Sequence, residues 1–197
     1  KTFNLIQRTT LFILVRLMNK SNRDCEYLIR LMEPLLGCSP GYKTIERLYS
    51  DDEVQMAMHN LFILLLRDEP ISGNLSGDGT GYSVVITKHY ASSVKKASKD
   101  YKYAFRIIDL DTGLYVAYGY SEKSEMKAFK SAMRILVELG IQVNSISLDR
   151  YYSLKSILKM FDRRTSVYVI PKKNFSHITA EWYRVLRSWT RDVVAYL

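Results

Sequence analysis

Acidic residues and cysteine are both scarce in this chain. Asp and Glu number 20 against 29 Lys and Arg, giving a formal charge of +9 and a pI near 9.4. That imbalance favours a polyanionic partner, nucleic acid before an acidic membrane surface. The only cysteines, Cys25 and Cys38, stand 13 positions apart (38 − 25), with no CxxC pair and no His at zinc-ligand spacing. A zinc knuckle and a disulfide framework are thereby excluded; both are read as small buried hydrophobes, with a reducing cytosol as the default compartment. Long apolar runs are missing too. Residues 11–17 are interrupted by Arg16 and residues 61–66 are ended by Arg67, well short of the roughly 20 residues a membrane span needs, so no membrane partner is expected. Of the three histidines, His59, His89 and His177, none has metal-pair spacing, and they are read as structural or exposed. No Ser-His-Asp or Cys-His set suggests covalent catalysis, and no P-loop is present. The first residue is Lys1 and no signal-peptide pattern leads the chain, so a piece of a longer protein is expected.

What is present is a folded composition, 47% hydrophobic and 12% aromatic. Residues 1–70 read as a helical region. Leu11, Leu14, Val15 and Met18 recur at helical spacing, as do Leu28, Leu31 and Leu35. Ser50 followed by Glu53 is expected to form a capping box opening a helix that stops near Pro70. Ahead of it, residues 42–49 form a short basic-aromatic segment carrying Lys43 and Arg47. This arrangement is compatible with a helix-turn-helix that touches DNA and equally with a small bundle.

The glycine-rich stretch 71–81 is read as a boundary, after which residues 71–197 change to strands. Strands are expected at 82–87, 103–109 and 114–120, the last two joined through Leu110-Asp111-Thr112-Gly113. A helix over 121–139 with Ser121 as N-cap and Gly140 at C′ follows. After it come a strand at 143–148, a short helix around 154–161, a strand at 166–171 and a helix at 179–196. The order β-β-β-α-β-α-β-α makes this an α/β domain with a ribonuclease-H-like mixed sheet.

Two carboxylates in this pattern suggest chemistry. Asp78 leads into the first strand and Asp149 follows the fourth, 71 positions later (149 − 78). In such a sheet the first and fourth strands are neighbours, so the two acids meet at one edge. Mg²⁺ takes hard oxygen ligands and needs few carboxylates, and paired ions clamp the attacking and leaving oxygens of an in-line displacement. The same residues also suit ordinary roles, a turn Asp-Gly and a helix cap. Lys95, Lys96, Lys99 and Lys102, and the pair Lys172 and Lys173 after the last strand, suit phosphate contacts or a solvated basic surface. Arg150 is placed either to touch a scissile strand or to pair with an acid.

The strings SGDGTGYSVVITKHY (76–90), ISLDRYYS (146–153) and VYVIPKKN (167–174), the last followed by a Trp-containing basic helix, resemble the catalytic domain of DDE-class insertion-sequence transposases of bacteria and archaea. The string YKTIERLYSDDEV (42–54) resembles the amino-terminal part of the same proteins. The resemblance implies a ribonuclease-H-like fold, Asp78 and Asp149 as the first two acids of a triad, and Mg²⁺ or Mn²⁺ as cofactor. It further implies double-stranded DNA (element ends and target) as partner, a homo-oligomer on that DNA, and a nucleoid-associated cytoplasmic location. In this family the third acid is a Glu on a helix well past the IPKKN-like strand, in a stretch not found here. Glu181, 32 positions after Asp149 (181 − 149), is the alternative by spacing. The expected function is metal-dependent cleavage and transfer of DNA strands at the ends of a mobile element, with a non-catalytic DNA-binding protein or an inactive remnant as the rival. This chain alone is expected not to cleave.

Overall fold

A computed structural model describes residues 3–84, 100–171 and 179–196. The chain divides into two compact units, Lys1–Asp68 and Glu69–Leu197.

The first unit is helical: α1 (Leu5–Met18), α2 (Asn22–Leu31), α3 (Glu33–Leu36), α4 (Tyr42–Leu48) and α5 (Asp52–Arg67). Asn4 and Gln7 form a reciprocal capping box at the start of α1. The core gathers Leu11 and Val15 of α1, Cys25 and Ile29 of α2, Ile45 and Leu48 of α4, and Val54 of α5. Cys25 and Cys38 are free and buried, as expected of small hydrophobes. The cap of α5 differs from expectation. Its N-cap is Asp51, which accepts from the Glu53 N–H, while the Ser50 hydroxyl donates to the Arg47 carbonyl. Glu53 does not reach back to the cap, because its carboxylate and that of Asp51 accept from the guanidinium of Arg8, a buried cation on α1. Pairing that buried charge outweighs a local hydrogen bond.

The second unit is a five-stranded mixed sheet with helices. Its elements are β1 (Asn74–Val84), β2 (Asp100–Asp109), β3 (Tyr115–Ser121), α6 (Glu125–Glu138), β4 (Ser145–Leu148), α7 (Lys155–Leu158), β5 (Ser166–Val169) and α8 (Ala180–Tyr196). A 3-10 turn at Arg150–Tyr152 precedes α7. The strand order is β3-β2-β1-β4-β5, antiparallel between β1, β2 and β3, parallel from β1 to β4 and β4 to β5. The β-β-β-α-β-α-β-α order expected from the sequence is the one observed.

The first strand begins earlier than expected. The segment 71–81, read as a boundary, is strand from Asn74 onward, and β1 pairs with β2 from Leu75 onward. Glycine is there because the sheet face beneath it is full. A Cβ on Gly77 would lie 2.7 Å from the Phe105 ring, and one on Gly79 would lie 2.3 Å from the Glu125 carboxylate. The helix α6 packs on this face, with Phe105, Phe129 and Tyr152 forming a cluster whose ring centroids are 5.0–5.1 Å apart. It crosses β3 at Gly119, where a Cβ would meet the Ala128 carbonyl oxygen at 1.8 Å. The N-cap of α6 is Ser124; Ser121 instead accepts from the N–H groups of Lys123 and Ser124. Gly140 takes the left-handed φ of 65° expected just past the helix. On the other face, Trp189 of α8 meets Tyr168 of β5 edge-on at 5.3 Å. Arg184 of α8 donates to the carbonyls of Leu158, Phe161 and Asp162, fastening α8 to the end of α7.

Candidate functional site

The parallel pairing of β1 with β4 runs Asn74↔Ser145, Leu75↔Ile146, Ser76↔Ser147, Gly77↔Leu148. The next residue on each strand is Asp78 and Asp149. Backbone at Asp149 is still extended (φ −66°, ψ 161°), so the alternation of faces continues one step. Leu75, Ile146 and Leu148 are buried on the α6 side, while Ser145 and Asn74 hydrogen-bond at 3.0 Å on the opposite face. That opposite face is the one that Asp78 and Asp149 share. Both are exposed. Adjacent strands lie about 4.8 Å apart, which sets the scale of their separation.

Each carboxylate has one oxygen engaged locally. Asp78 Oδ1 accepts from the Gly79 N–H at 2.8 Å, and Asp149 Oδ1 accepts from the Arg150 N–H at 2.6 Å. Asp149 therefore does act as the cap of the 3-10 turn, and in both residues Oδ2 has no partner among the described residues. Asp78 borders a hollow of about 210 Å³ with Ser76, Thr80, Arg106 and Tyr115. Arg106 is the direct cross-strand neighbour of Asp78 and is exposed; among the described residues its guanidinium reaches only the Tyr82 hydroxyl, at 3.4 Å.

Beneath the acids, on the α6 side, lies a second pair. The Tyr152 hydroxyl donates to Glu125 Oε1 at 2.5 Å, with Tyr152 fully buried. Burial, the Glu125 carboxylate and the charge of Asp78 together push this phenol far above its ordinary range. Glu125 packs over Gly79, next to Asp78, and the Tyr152 N–H donates to the Asp149 carbonyl at 2.9 Å. One hydrogen bond thus ties the start of α6, which lies over Gly79, to the 3-10 turn that follows Asp149. Arg106, Glu125 and Tyr152 were not singled out from sequence. Arg106 would have followed from the hairpin register once β1 is started at Asn74.

The other candidates fall elsewhere. Glu181, at the start of α8, lies 3.8 Å from both Lys155 Nζ and Lys159 Nζ. No group of three His, Cys, Asp or Glu able to hold a metal occurs among the described residues. Arg150 is exposed beside Asp149, its side chain unpaired among the described residues. Lys102 pairs with Glu122. In the first unit, Lys43 and Arg47 are exposed one turn apart on α4, with Ile45 and Leu48 buried behind them. Lys172, Lys173, Lys95, Lys96, Lys99, His89 and His177 lie outside the described residues.

Fold and site together define a mixed α/β domain in which Asp78, within β1, and Asp149, just after β4, each come next after the last pair of the parallel β1–β4 ladder. No family model matches the chain. It is 59% identical over 186 residues to a protein of Archaeoglobus fulgidus named "Probable transposase for insertion sequence element ISA1214". The match takes in 94% of this chain and 58% of that relative, so the chain spans less than two thirds of the relative's length. This similarity supports the likeness to insertion-sequence transposases read from the sequence. No helix among the described residues is long and apolar enough to cross a membrane.

Proposed function

We propose that the second unit is a ribonuclease-H-like domain carrying Asp78 and Asp149 as two acids of a DDE transposase. It would act on double-stranded DNA at the ends of an insertion sequence and at its target. The observation that carries this reading is the β1–β4 register, which makes the two acids the next neighbours in the sheet. The name of the Archaeoglobus relative supports the transposition part.

The donor set fits Mg²⁺ or Mn²⁺. Both acids are exposed, each keeps an oxygen without a partner among the described residues, and carboxylates are the hard ligands these ions take. Bound there, the metal would supply Lewis-acid polarisation of the phosphodiester and a more acidic water. Asp78 and Asp149 would hold it. Arg106 and Arg150, flanking them, orient the phosphate by charge. Glu125 and Tyr152 keep the two acid-bearing segments in register from below. Water attacks phosphorus as the bond to the 3′ oxygen breaks, leaving a 5′-phosphate and, with a proton from the water, a 3′-hydroxyl. That hydroxyl then attacks a target phosphorus, its proton ending on the target's own 3′ oxygen, which leaves as the target P–O3′ bond breaks. Holding a second ion takes another acid, and we assign that role to a Glu other than Glu181, whose carboxylate faces two lysines. The working form is a homo-oligomer on DNA in the prokaryotic cytoplasm.

The test is strand cleavage and joining on element-end DNA by the full-length protein with Mn²⁺. Asp78→Asn and Asp149→Asn should each lower the rate by at least about a thousandfold, the scale on which lost electrostatic stabilisation acts. Duplex binding should be retained. Undiminished cleavage by either variant would contradict the assignment and favour a non-catalytic DNA-binding role.

A further inference from the structure

A line of cations on α6 is unused by any role described so far. Lys127, Lys130 and Arg134 are exposed and lie within about 60° of one another around the helix axis, at 100° per residue. The three span about 10 Å along the axis, and Lys123, exposed and just ahead of the helix, borders the same hollow. The four border one hollow of about 570 Å³, together with Tyr120, Ser121, Glu122 and Ser131. None of the four has an ion pair among the described residues. The acids nearby are Glu122, engaged by Lys102, and Glu138, one turn beyond Arg134.

We infer that this stripe is a docking surface for the phosphate backbone of duplex DNA, on the side of the sheet away from Asp78 and Asp149. Three electrostatic features of α6 call for an anion. Lys127–Lys130 and Lys130–Arg134 are like charges at helix-neighbour spacing, which destabilise a free helix. Lys127 also sits near the positive end of the helix dipole. A duplex presents one negative charge about every 1.7 Å of its axis, so a row of cations about 10 Å long meets several phosphates at once. An anionic membrane fits worse. A membrane-surface helix offers its apolar face to lipid, whereas Ala128, Phe129, Ala132, Ile135 and Leu136 are buried against the sheet. The surface goes beyond the proposed catalytic reading and needs no metal at the acids.

The experiment is fluorescence anisotropy of a labelled random-sequence duplex with this chain, titrated at several salt concentrations. The triple variant Lys127→Gln, Lys130→Gln, Arg134→Gln is compared with a charge-matched set on exposed positions of the first unit, Arg16→Gln, Lys20→Gln, Arg67→Gln. Three phosphate contacts are worth about 2.7 in the slope of log K against log salt. The α6 variant should flatten the slope by about that much, and the matched set by less than half of it. Equal flattening by both sets, or none by the α6 set, overturns the proposal. So does an α6 variant that keeps its DNA slope but loses binding to phosphatidylserine vesicles. Mn²⁺ binding by the α6 variant and the salt slope of Asp78→Asn are measured alongside. Unchanged values in both keep this surface separate from the acid pair, so that either can fail without the other.

Discussion

The sheet of the second unit holds aspartates of opposite fate. Asp109 ends β2, opposite Leu75, three residues from Asp78 along β1 or about 10 Å. It is fully buried and accepts from the Ser72 hydroxyl (2.7 Å), the Gly73 N–H (3.0 Å), and the Thr112 N–H (2.9 Å) and hydroxyl (3.0 Å). Burial pushes its carboxyl up, but these donors outweigh that and hold it below the ordinary 3.8. Asp78 and Asp149 are exposed, and each accepts one backbone N–H from the residue that follows it. One acid has every lone pair occupied by the fold, and the other two keep oxygens for something else. A saturated carboxylate organises a turn; an unsaturated pair just past a parallel ladder is where a ligand fits.

Replacement breaks the comparison most sharply. Asp109→Ala leaves several buried donors without a partner and should cost roughly 3 kcal/mol. That lowers Tm by about 10 °C at this chain length. Asp78→Ala and Asp149→Ala, by contrast, should each leave Tm within about 2 °C in calorimetry. A fall of Tm on losing either exposed acid as large as that on losing Asp109 would erase the distinction.

Acid titration sharpens it. The folded carboxyl of Asp109 is depressed, so its contribution to stability is fully present above the unfolded value near 3.8 and is lost as pH falls through the lower folded value. Denaturant midpoints of the wild type should therefore drop below pH 4 by more than those of Asp109→Asn, read by circular dichroism.

A smaller effect is expected at the link beneath the acids. Tyr152→Phe removes the hydroxyl that meets Glu125 and should cost about 1 kcal/mol, with Mn²⁺ affinity reduced several-fold by calorimetric titration. Unchanged affinity would leave Tyr152 with a packing role alone. Smallest of all, Glu181→Gln should not alter Mn²⁺ affinity, since that carboxylate faces Lys155 and Lys159.

Much of this arrangement was legible in the sequence. Hydrophobic periodicity located α1, α5 and α6, the Leu110-Asp111-Thr112-Gly113 turn marked the β2–β3 hairpin, and the element order pointed to β1 and β4 as neighbours. The start of β1 was not legible, because glycine signals a turn unless the ring and carboxylate that fill its face are known, here Phe105 and Glu125. Two N-caps lie elsewhere than the sequence suggests. Ser50 and Ser121 look like N-caps, but Asp51 and Ser124 are better placed, and only the tertiary partner Arg8 explains why Glu53 turns away. The Tyr152–Glu125 bond joins positions 27 apart in sequence and leaves no local pattern. The cations of α6 did have a helical spacing to read, hidden behind the stronger apolar stripe of the same helix.

The most direct test of the account is paramagnetic broadening by Mn²⁺ in amide NMR spectra of this chain. The account predicts that substoichiometric Mn²⁺ broadens residues 76–80 and 147–151 first, and that Asp149→Asn abolishes this. Amides around Asp109 should stay sharp until much higher metal concentration. Broadening centred on residues 109–112, or a pattern unchanged by Asp149→Asn, would contradict it.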